Sequence, residues 1–595
     1  MNEILATGMF RLVFGFCARQ WRRQPGRIGA MMACMLVAAM IEAVTPLLFG
    51  RLVDAIAGAA LQMAVTLVLL VIGIGVLLLL VRYINIVQLT TSTLTVMQSM
   101  VEEGFHRVQR FSTDWHASTF GGATVRAITR GVWGYDALGD SLILGFFPAI
   151  VLLVAVTGLL TWHWPAMGAA VGIGVILYLA LAVSMTLIYI TPAARRSNAF
   201  DSKLSGTLAD AITCNPVVKA FAAEGREETR LSEVTRQWYR LVRTSWLRYA
   251  LTNIGQSFIA LAMQAGILAI GLWLWRAGRA TPGDIAYLVT TFTLLQGYLR
   301  EVANHFRSLL RAVSDLEELA RFSQLPLGIM DADGAGQIKV GAGRITFDCV
   351  GFRYPNALLP LYRDFSLDIP AGCRVGLVGA SGSGKSSFVK LIQRLYDVES
   401  GRILIDGQDI ALVTQRSLRS SVAVVPQDPV LFHRSIAENI AYARPDAPLA
   451  EIIAAARRAH AHEFIETLPQ GYDTLVGERG IKLSGGERQR IALARAVLSE
   501  ARILIFDEAT SSLDSVSEHL LQQAMEDVME GRTTIIIAHR LSTVQRVDRI
   551  LLFDHGCIME QGSHRQLLAK TDGLYRRLFA TQVLGLIGQD EIAAS

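Results

Sequence analysis

The stretch Gly379-Ala380-Ser381-Gly382-Ser383-Gly384-Lys385-Ser386 lies between a predicted strand and a predicted helix. It matches the pattern G-x-x-x-x-G-K-[ST] of phosphate-binding loops at every position. The apolar residues 374–378 before it predict a short buried strand, and residues 387–392 after it predict the start of a helix. Glycines let successive backbone N–H groups converge on a phosphate, and the helix N-terminus adds partial positive charge. The stretch therefore predicts a nucleotide site.

Each part of this loop has a predicted role in binding ATP. The backbone from Gly379 to Gly384 would surround the phosphates, and Ser387 extends the same contact into the first helical turn. Lys385 would neutralise the β and γ phosphates, and the Ser386 hydroxyl would bind Mg²⁺.

The composition divides the chain into two different halves. Hydrophobic residues make up 52% of the 595 residues and charged residues only 18%, and the segment from Ser141 to Ala194 contains no Asp, Glu, Lys or Arg. A soluble core helix does not need so long an uncharged segment, whereas two bilayer spans and a tight turn do. The first half is predicted to be an all-α polytopic membrane domain, followed by an α/β ATPase domain.

Apolar segments predict six transmembrane helices. They are Ile28–Gly50, a second within Ala55–Val81, Leu142–Trp162, Met167–Ile190, a fifth within Tyr249–Trp275, and Ile285–Leu299. The sixth is the shortest, and we accept it because a cytoplasmic N-terminus and a cytoplasmic ATPase domain require an even number of crossings. The long loops between the spans are basic, and the short loops lie on the other side of the membrane. Because basic loops face the cytoplasm, the long loops and the ATPase domain are predicted to be cytoplasmic. The chain is accordingly predicted to be a multi-pass protein of the cell inner (plasma) membrane.

The two long cytoplasmic loops are rich in helix-forming residues. Each is predicted to form a helix out and a helix back, with tips at Asp114–Thr129 and Ser205–Ala222, which would contact the ATPase domain. The predicted domain order is an interfacial elbow helix (1–27), the transmembrane domain (28–324), a linker (325–343), the cassette (344–582) and a tail (583–595).

The net charge and the cysteine content restrict which other functions and sites the chain could have. The net charge is +5, and the basic residues lie mostly in loops between apolar segments, so membrane topology accounts for them and nucleic-acid binding is not predicted. The six cysteines show no C-x-x-C spacing and are predicted to be reduced. The N-terminus lacks the pattern of a cleaved signal peptide.

A second nucleotide signal comes at the end of an apolar strand. Residues 503–506 are followed by Asp507 and Glu508. Parallel strands deliver their C-terminal residues to the ligand edge of a sheet. Asp507 is predicted to help bind Mg²⁺, largely through water, and Glu508 to polarise the attacking water.

The segment Leu483-Ser484-Gly485-Gly486-Glu487 opens an Arg- and Ala-rich helix, and with it the chain resembles an ATP-binding cassette (ABC) half-transporter of the type IV exporter architecture. The resemblance covers essentially the whole chain. It implies that Ser484, Gly485 and Gly486 contact the γ-phosphate held by a partner's loop. One phosphate loop and one signature per chain imply a dimer, with a homodimer favoured and a heterodimer possible.

Further positions match the family one by one. Tyr354 resembles the aromatic residue that stacks on adenine, although an isolated tyrosine there would be a core residue. Gln427 resembles the residue that senses Mg²⁺ and faces the membrane-domain arms. His539 resembles the switch histidine that contacts the γ-phosphate and positions Glu508.

The resemblance implies an ATP-driven exporter or flippase of a lipophilic or amphipathic small molecule. One alternative is an importer of metal–siderophore complexes, acting as half of a heterodimer. The other is a regulatory ATPase that transports nothing. The substrate is not predicted.

Glu42 is an ionisable residue inside the first predicted span. Such residues are costly in a bilayer and usually face a cavity or a partner. Glu42 is predicted either to line the substrate path and favour a cationic group, or to form a structural hydrogen bond to a neighbouring helix.

Overall fold

The computed structural model describes residues 2–119, 121–355, 357–477, 483–507, 515–538 and 544–580, without the side chains of residues 2–7 and 515–518. The chain forms two compact units. The first comprises residues 1–110 and 116–326, and the second comprises residues 111–115 and 327–595. A short segment of the first arm, residues 111–115, thus belongs to the second unit.

Helices build the first unit. In chain order they are α1 (Asn2–Arg22), α2 (Pro25–Ala57), α3 (Leu61–Val108), α4 (Thr113–Ser118), α5 (Gly121–Gly139), α6 (Phe147–His163), α7 (Pro165–Ser184), α8 (Thr191–Thr213), α9 (Asn215–Ala220), α10 (Glu224–Arg276) and α11 (Pro282–Phe322). Two π-helical segments, Asp140–Phe146 and Met185–Ile190, join α5 to α6 and α7 to α8. The continuous helices therefore extend well beyond the length that a bilayer requires.

Five helices of the described part are long and apolar enough to cross a membrane. They are Pro25–Ala57, Leu61–Val108, Gly121–His163, Pro165–Thr213 and Glu224–Arg276. The sixth predicted span lies within α11, which is not one of the five, so it remains a prediction. Within the segment Ala55–Val81, which was predicted to contain the second span, residues 55–57 end α2 and the chain turns at Gly58–Ala60, where Ala59 has φ +54°; α3 then begins at Leu61.

A shared apolar core holds the membrane unit together. Leu152 and Val156 of α6, Val171 of α7, and Leu288 and Leu295 of α11 are almost fully buried in it. Many large apolar side chains elsewhere in the membrane unit are exposed, as expected for surfaces that contact lipid. Short helices occupy both predicted arm tips: α4 in the first and α9 in the second.

Two sheets form the centre of the second unit. The strands are β1 (Ile345–Phe352), β2 (Tyr362–Ile369), β3 (Arg374–Val378), β4 (Ser400–Ile405), β5 (Gln408–Asp409), β6 (Val422–Val425), β7 (Ile503–Asp507), β8 (Thr533–Ile537), β9 (Arg549–Asp554) and β10 (Cys557–Gly562). An antiparallel sheet has the order β2-β1-β4-β5, and a second sheet has the order β10-β9-β3-β8-β7-β6. All pairs of the second sheet are parallel except β9 with β10. The strands predicted at residues 374–378 and 503–506 correspond to β3 and β7.

Helices cover both faces of the parallel sheet. They are α12 (Lys385–Ile392), α13 (Gln415–Ser420), α14 (Ile436–Ile440), α15 (Leu449–Arg458), α16 (His462–Thr467), α17 (Gly485–Leu498), α18 (Ser515–Met529) and α19 (His564–Leu568). Phe388 of α12 is fully buried and stacks on Phe347 of β1 with ring centroids 4.5 Å apart, which ties the two sheets into one core.

One carboxylate fixes the chain where it enters the cassette. Asp406 accepts hydrogen bonds from the backbone N–H groups of residues 341–344, at 2.7–3.0 Å. Partial burial opposes the charge, but these donors hold the pKa of Asp406 below its usual value. The last part of the predicted linker is therefore held on the cassette at neutral pH.

Candidate functional site

The phosphate loop follows β3, which lies between β8 and β9 in the middle of the parallel sheet. The predicted strand before it and helix after it are confirmed. Gly379 has φ +149°, and a Cβ there would lie 2.2 Å from the carbonyl oxygen of Phe553. Gly384 has φ +114° and directly precedes α12. Only glycine fits these two positions without strain, so the loop backbone is free to approach a phosphate.

Lys385 places its ammonium group inside the loop. Its Nζ donates to the carbonyl oxygens of Gly379 and Ala380, both at 2.8 Å, and to Ser383 Oγ at 3.3 Å. The residue is only 5% exposed. A buried ammonium at a helix N-terminus provides a strong positive potential, as the predicted phosphate role requires.

The two serines that follow Lys385 differ in their surroundings. Ser386 is exposed in the first turn of α12, whereas Ser387 is buried and its Oγ lies 2.8 Å from the Tyr354 hydroxyl. The Tyr354 ring contacts Phe352 and Tyr396 edge-on, with centroids 4.9 and 5.1 Å away. The predicted adenine-stacking residue is therefore held beside the loop by Ser387 and two aromatic rings.

Asp507 and Gln427 lie at the same edge of the parallel sheet. Asp507 ends β7, whose neighbour β6 leads directly into the segment that holds Gln427. The buried side chain of Gln489, on α17, donates to the Gln427 carbonyl oxygen at 2.8 Å and to that of Pro426 at 3.1 Å. The sequence did not single out Gln489, because a glutamine inside a helix is not distinctive by itself.

The donors present fit Mg²⁺ only together with phosphate and water. The described residues contain no group of three or more His, Cys, Asp or Glu side chains that could hold a metal ion. Mg²⁺ prefers oxygen ligands and retains several waters, so a hydroxyl, an amide and one carboxylate near a phosphate suffice. Ser386, Gln427 and Asp507 supply this set of groups.

The signature segment begins a helix, and its residue Ser484 is exposed. Ser484 caps α17 by accepting a hydrogen bond from the Glu487 N–H at 3.2 Å, while Glu487 accepts one from the Ser484 N–H at 2.7 Å. Gly485 and Gly486 form the first turn. Exposed N–H groups at a helix start can bind an anion supplied by another chain.

Two predicted catalytic residues, Glu508 and His539, lie outside the described residues. Each directly follows a described segment: Glu508 follows β7, and His539 follows Ala538, the residue after β8. Because β7 and β8 are adjacent parallel strands, their C-terminal ends lie at the same edge of the sheet. The roles of Glu508 and His539 remain predictions.

Tyr396, which sequence reasoning did not single out, connects this site to Asp114 of the first arm, whose tip was predicted to contact the ATPase domain. The Tyr396 hydroxyl donates a hydrogen bond to Asp114 Oδ1, at the start of α4. Burial, and then the bond to Asp114, raise the pKa of Tyr396, so the phenol remains a neutral donor throughout the physiological range. Tyr396 also contacts the ring of Tyr354, the predicted adenine contact. Asp114 is therefore linked to Tyr354 through the single residue Tyr396. The sequence alone did not distinguish Tyr396 from a core tyrosine.

We expect Tyr396→Phe to weaken coupling while leaving hydrolysis in place. The substitution keeps the ring against Tyr354 but removes the bond to a carboxylate, which is typically worth about 1.5–3 kcal/mol. Basal ATPase activity should remain within about twofold, while stimulation by substrate should fall several-fold, as about 1.4 kcal/mol corresponds to tenfold. Tyr472→Phe is the matched control, because Tyr472 bonds to His462 within the cassette at 2.9 Å. Equal stimulation in wild type and Tyr396→Phe would contradict the assignment.

Glu42 joins three helices of the membrane unit. It is 8% exposed, pairs with Arg82 of α3 and accepts a hydrogen bond from the Tyr298 hydroxyl of α11 at 2.5 Å. Both carboxylate oxygens are therefore engaged. In this arrangement Glu42 presents no free negative charge to a cationic substrate, and the contacts favour the structural alternative.

We expect Glu42→Gln to reduce stability without changing substrate preference. Arg82 would lose its counter-ion, although its side chain is 51% exposed and can be partly solvated. The loss of stability should therefore lie between the roughly 0.6 kcal/mol that is typical of a membrane hydrogen bond and the roughly 3 kcal/mol that is typical of a broken buried ion pair. Thermal inactivation measures it, and Glu42→Gln combined with Arg82→Gln should recover part of the loss. A changed order of substrates in the ATPase assay would instead place Glu42 in the substrate path.

Family models match both halves of the chain. A model described as "ABC transporter transmembrane region" matches residues 28–299, and one described as "ABC transporter" matches residues 362–511.

Curated relatives match along most of their length. An "ATM1-type heavy metal exporter" of Novosphingobium aromaticivorans is 39% identical over 81% of this chain and 79% of its own. An "ATP-dependent lipid A-core flippase" of Dechloromonas aromatica is 36% identical over 82% of this chain and 83% of its own. A solved structure of a bacterial Atm1-family ABC exporter with ATP bound matches with a TM-score of 0.83 and 35% identity, covering 94% of this chain and 98% of that one.

Proposed function

Because the chain belongs to the ABC transporter family, as a half-transporter that couples ATP hydrolysis to transport, we propose that it works as an exporter dimer with two composite ATP sites in a bacterial inner membrane. One observation carries the proposal. The arm segment Phe111–Trp115 belongs to the cassette unit, where Asp114 binds Tyr396 and Tyr396 contacts Tyr354. Events at the ATP site can therefore reach the transmembrane helices through the first arm.

We assign the roles in the proposed cycle from the sequence motifs and, for the described residues, from the positions of their side chains. The loop amides and Lys385 bind the β and γ phosphates, while Ser386, Gln427 and Asp507 are the groups that would hold Mg²⁺. When bound, Mg²⁺ supplies charge neutralisation between the phosphates. Ser484 of the partner subunit completes the site when the two chains close. Closure changes the access of the membrane domain, and hydrolysis with Glu508 and His539 resets it.

The side chains of the membrane unit favour an anionic substrate. Arg307 of α11 stacks on Tyr249 at 4.5 Å, and its buried Nη1 has no hydrogen-bond partner among the described residues. Arg248 of α10 stacks on Tyr189 at 4.7 Å. The carboxylate of Glu42, by contrast, is neutralised by Arg82. A heavy-metal ion bound by thiolates gains one negative charge from each ligand, which suits this environment. We therefore propose an anionic heavy-metal complex as substrate.

A second candidate substrate is a lipid of the lipid A-core kind. One relative is named as such a flippase, and an open apolar groove of about 780 Å³ lies between α6 and α7. Leu153, Gly158, Gly172 and Ile176 are among its lining residues. An acyl chain fits such a surface, although the same surface suits ordinary bilayer lipid.

Inside-out vesicles would test the function, its direction and the substrate together. With the cassettes facing the medium, export predicts ATP-dependent accumulation of a cadmium–thiolate complex. Accumulation of a labelled lipid A-core species instead would support the second candidate. ATP-dependent loss from preloaded vesicles would indicate import, as the metal–siderophore alternative requires. ATP hydrolysis without movement of either substrate would favour a regulatory protein. Glu508→Gln vesicles serve as the inactive control.

A further inference from the structure

Helix α1 and the residue that directly follows it carry four arginines shortly before the first span. Arg11, Arg19, Arg22 and Arg23, here called the arginine face, are all exposed. At 3.6 residues per turn they lie within about 120° of the helix surface and extend over roughly 18 Å of its length. The sequence contains no Asp or Glu between Ile4 and Ile41. All four residues precede the start of the transmembrane family match at residue 28.

Little of this positive charge is neutralised within the protein. Arg23 donates a hydrogen bond to the neutral side chain of Gln20 at 3.1 Å and is 3.8 Å from Glu103, at long range for an ion pair. Arg19 makes a long contact, 3.4 Å, to Ser323 Oγ and lies over the Phe16 ring, 5.8 Å from its centroid, and neither partner carries a charge. Arg11 and Arg22 make no side-chain hydrogen bond or ion pair with any described residue. The exposed guanidinium groups are therefore available to a ligand outside the chain.

The opposite face of α1 is docked against the membrane unit. Val13, Phe16, Cys17 and Gln20 are each at most 4% exposed. The Phe16 side chain lies among residues of α3 and α11, namely Met100, Gly104, Leu319 and Phe322. On a third side of the helix, Trp21 Nε1 donates to the Tyr135 hydroxyl at 3.1 Å. The helix is thus held in one orientation, and the arginine face is held away from the protein.

Helix α1 docks against the end of α11, the helix from which the chain continues into the cassette. Helix α11 ends at Phe322, and Arg107 of α3 donates to the carbonyl oxygens of Phe322 at 2.8 Å and Leu325 at 2.7 Å. The second unit begins only two residues later, at Leu327. A ligand that holds α1 in place would therefore support the end of α11 from which the chain continues into the cassette.

We propose that the arginine face binds the phosphate of an anionic phospholipid in the cytoplasmic leaflet and that this contact stabilises the inner end of α11. The proposal rests on the membrane topology proposed above. Guanidinium groups bind phosphate in a bidentate manner, and basic clusters beside a transmembrane helix attract anionic lipids. An anionic lipid is the favoured occupant because the face directly precedes a span, where phospholipid headgroups are concentrated.

Retention of lipid by the full-length protein tests the proposal. Wild type would be reconstituted in nanodiscs of phosphatidylcholine and phosphatidylglycerol, exchanged into detergent, and its retained lipids measured by mass spectrometry. Arg11→Gln with Arg22→Gln should weaken retention of phosphatidylglycerol about 25-fold, because each arginine near the surface contributes about 1 kcal/mol and about 1.4 kcal/mol corresponds to tenfold. Retention of phosphatidylcholine should not change. This measurement does not depend on transport, so it can fail while the proposed function stands.

Matched variants separate lipid binding at the arginine face from a general effect of charge or folding. Arg565→Gln with Arg576→Gln removes the same charge from exposed cassette arginines and should leave retention unchanged. Arg11→Lys with Arg22→Lys keeps the charge and should retain most of the lipid, which also reveals any folding defect of the glutamine variant. Equal retention in wild type and the Arg11→Gln, Arg22→Gln variant overturns the proposal, as does an equal loss in the cassette control. Complete displacement of the lipid by glycerol phosphate would point to a soluble phosphate ligand and would also overturn it.

Discussion

Glu508→Gln is expected to lower ATP turnover by about 10²- to 10⁴-fold while ATP binding survives, because this is the usual contribution of a positioned general base. Glu508 directly follows Asp507 in the sequence, and Asp507 ends β7 at the sheet edge that also carries the phosphate loop. Glutamine keeps the size of the side chain but cannot polarise the attacking water. The phosphate contacts of Lys385 and the loop amides would remain, so the closed dimer should accumulate with ATP bound.

Two measurements check this result. Steady-state phosphate release gives the turnover, and retention of labelled ATP after gel filtration gives the trapped state. Glu530→Gln is the control, since Glu530 is an exposed carboxylate of the same unit without a predicted catalytic role. Turnover of Glu508→Gln at the wild-type rate would remove Glu508 from the catalytic assignment.

The second large effect is expected from a mixture of two inactive chains. Lys385→Ala removes the ammonium that bonds to the loop carbonyls and would bind phosphate, so ATP affinity should fall by roughly 10- to 150-fold, the equivalent of about 1.5–3 kcal/mol. Ser484→Arg places a bulky cation at the exposed start of α17, where the partner's nucleotide is proposed to bind. Each variant alone should be nearly inactive.

A mixed dimer of these variants has one intact composite site. The loop of the Ser484→Arg chain would face the signature of the Lys385→Ala chain, and both of these parts are unchanged. Independent sites therefore predict that the mixture recovers ATPase activity that neither variant has alone. Absence of recovery would indicate either obligatory turnover at both sites or a signature that serves its own chain. A crosslink between the signature of one chain and the loop of the other would distinguish these two cases.

The effect of Ser484→Arg on the helix cap must be distinguished from its effect on the composite ATP site. Ser484 caps α17, and replacing such a residue costs about 1 kcal/mol. Ser563→Arg is a matched control, since Ser563 caps α19 with the same reciprocal bonds, here to Gln566. If Ser563→Arg were as inactive as Ser484→Arg, the effect would reflect capping and not contact with the partner's nucleotide.

The amino-acid sequence was sufficient for features that depend on neighbouring residues. A strand, a glycine-rich turn and a helix start within a short segment define the phosphate loop, because backbone conformation there is set by local residue types. Apolar runs likewise predicted β3 and β7 and the spans before α11. The apolar segments did not give the ends of the helices themselves, because the helices continue beyond those segments and end where the backbone turns.

Only the folded structure decided which distant side chains meet. Glu42 could have faced a cavity or a helix, and packing of α2 against α3 and α11 places Arg82 and Tyr298 on its carboxylate. Tyr396 had no distinguishing pattern, yet the arm tip brings Asp114 onto its hydroxyl. These pairs are separated by 40 to 282 positions in the chain. Periodicity specifies which face of a helix is buried, but the partner on that face depends on how separate elements pack in three dimensions.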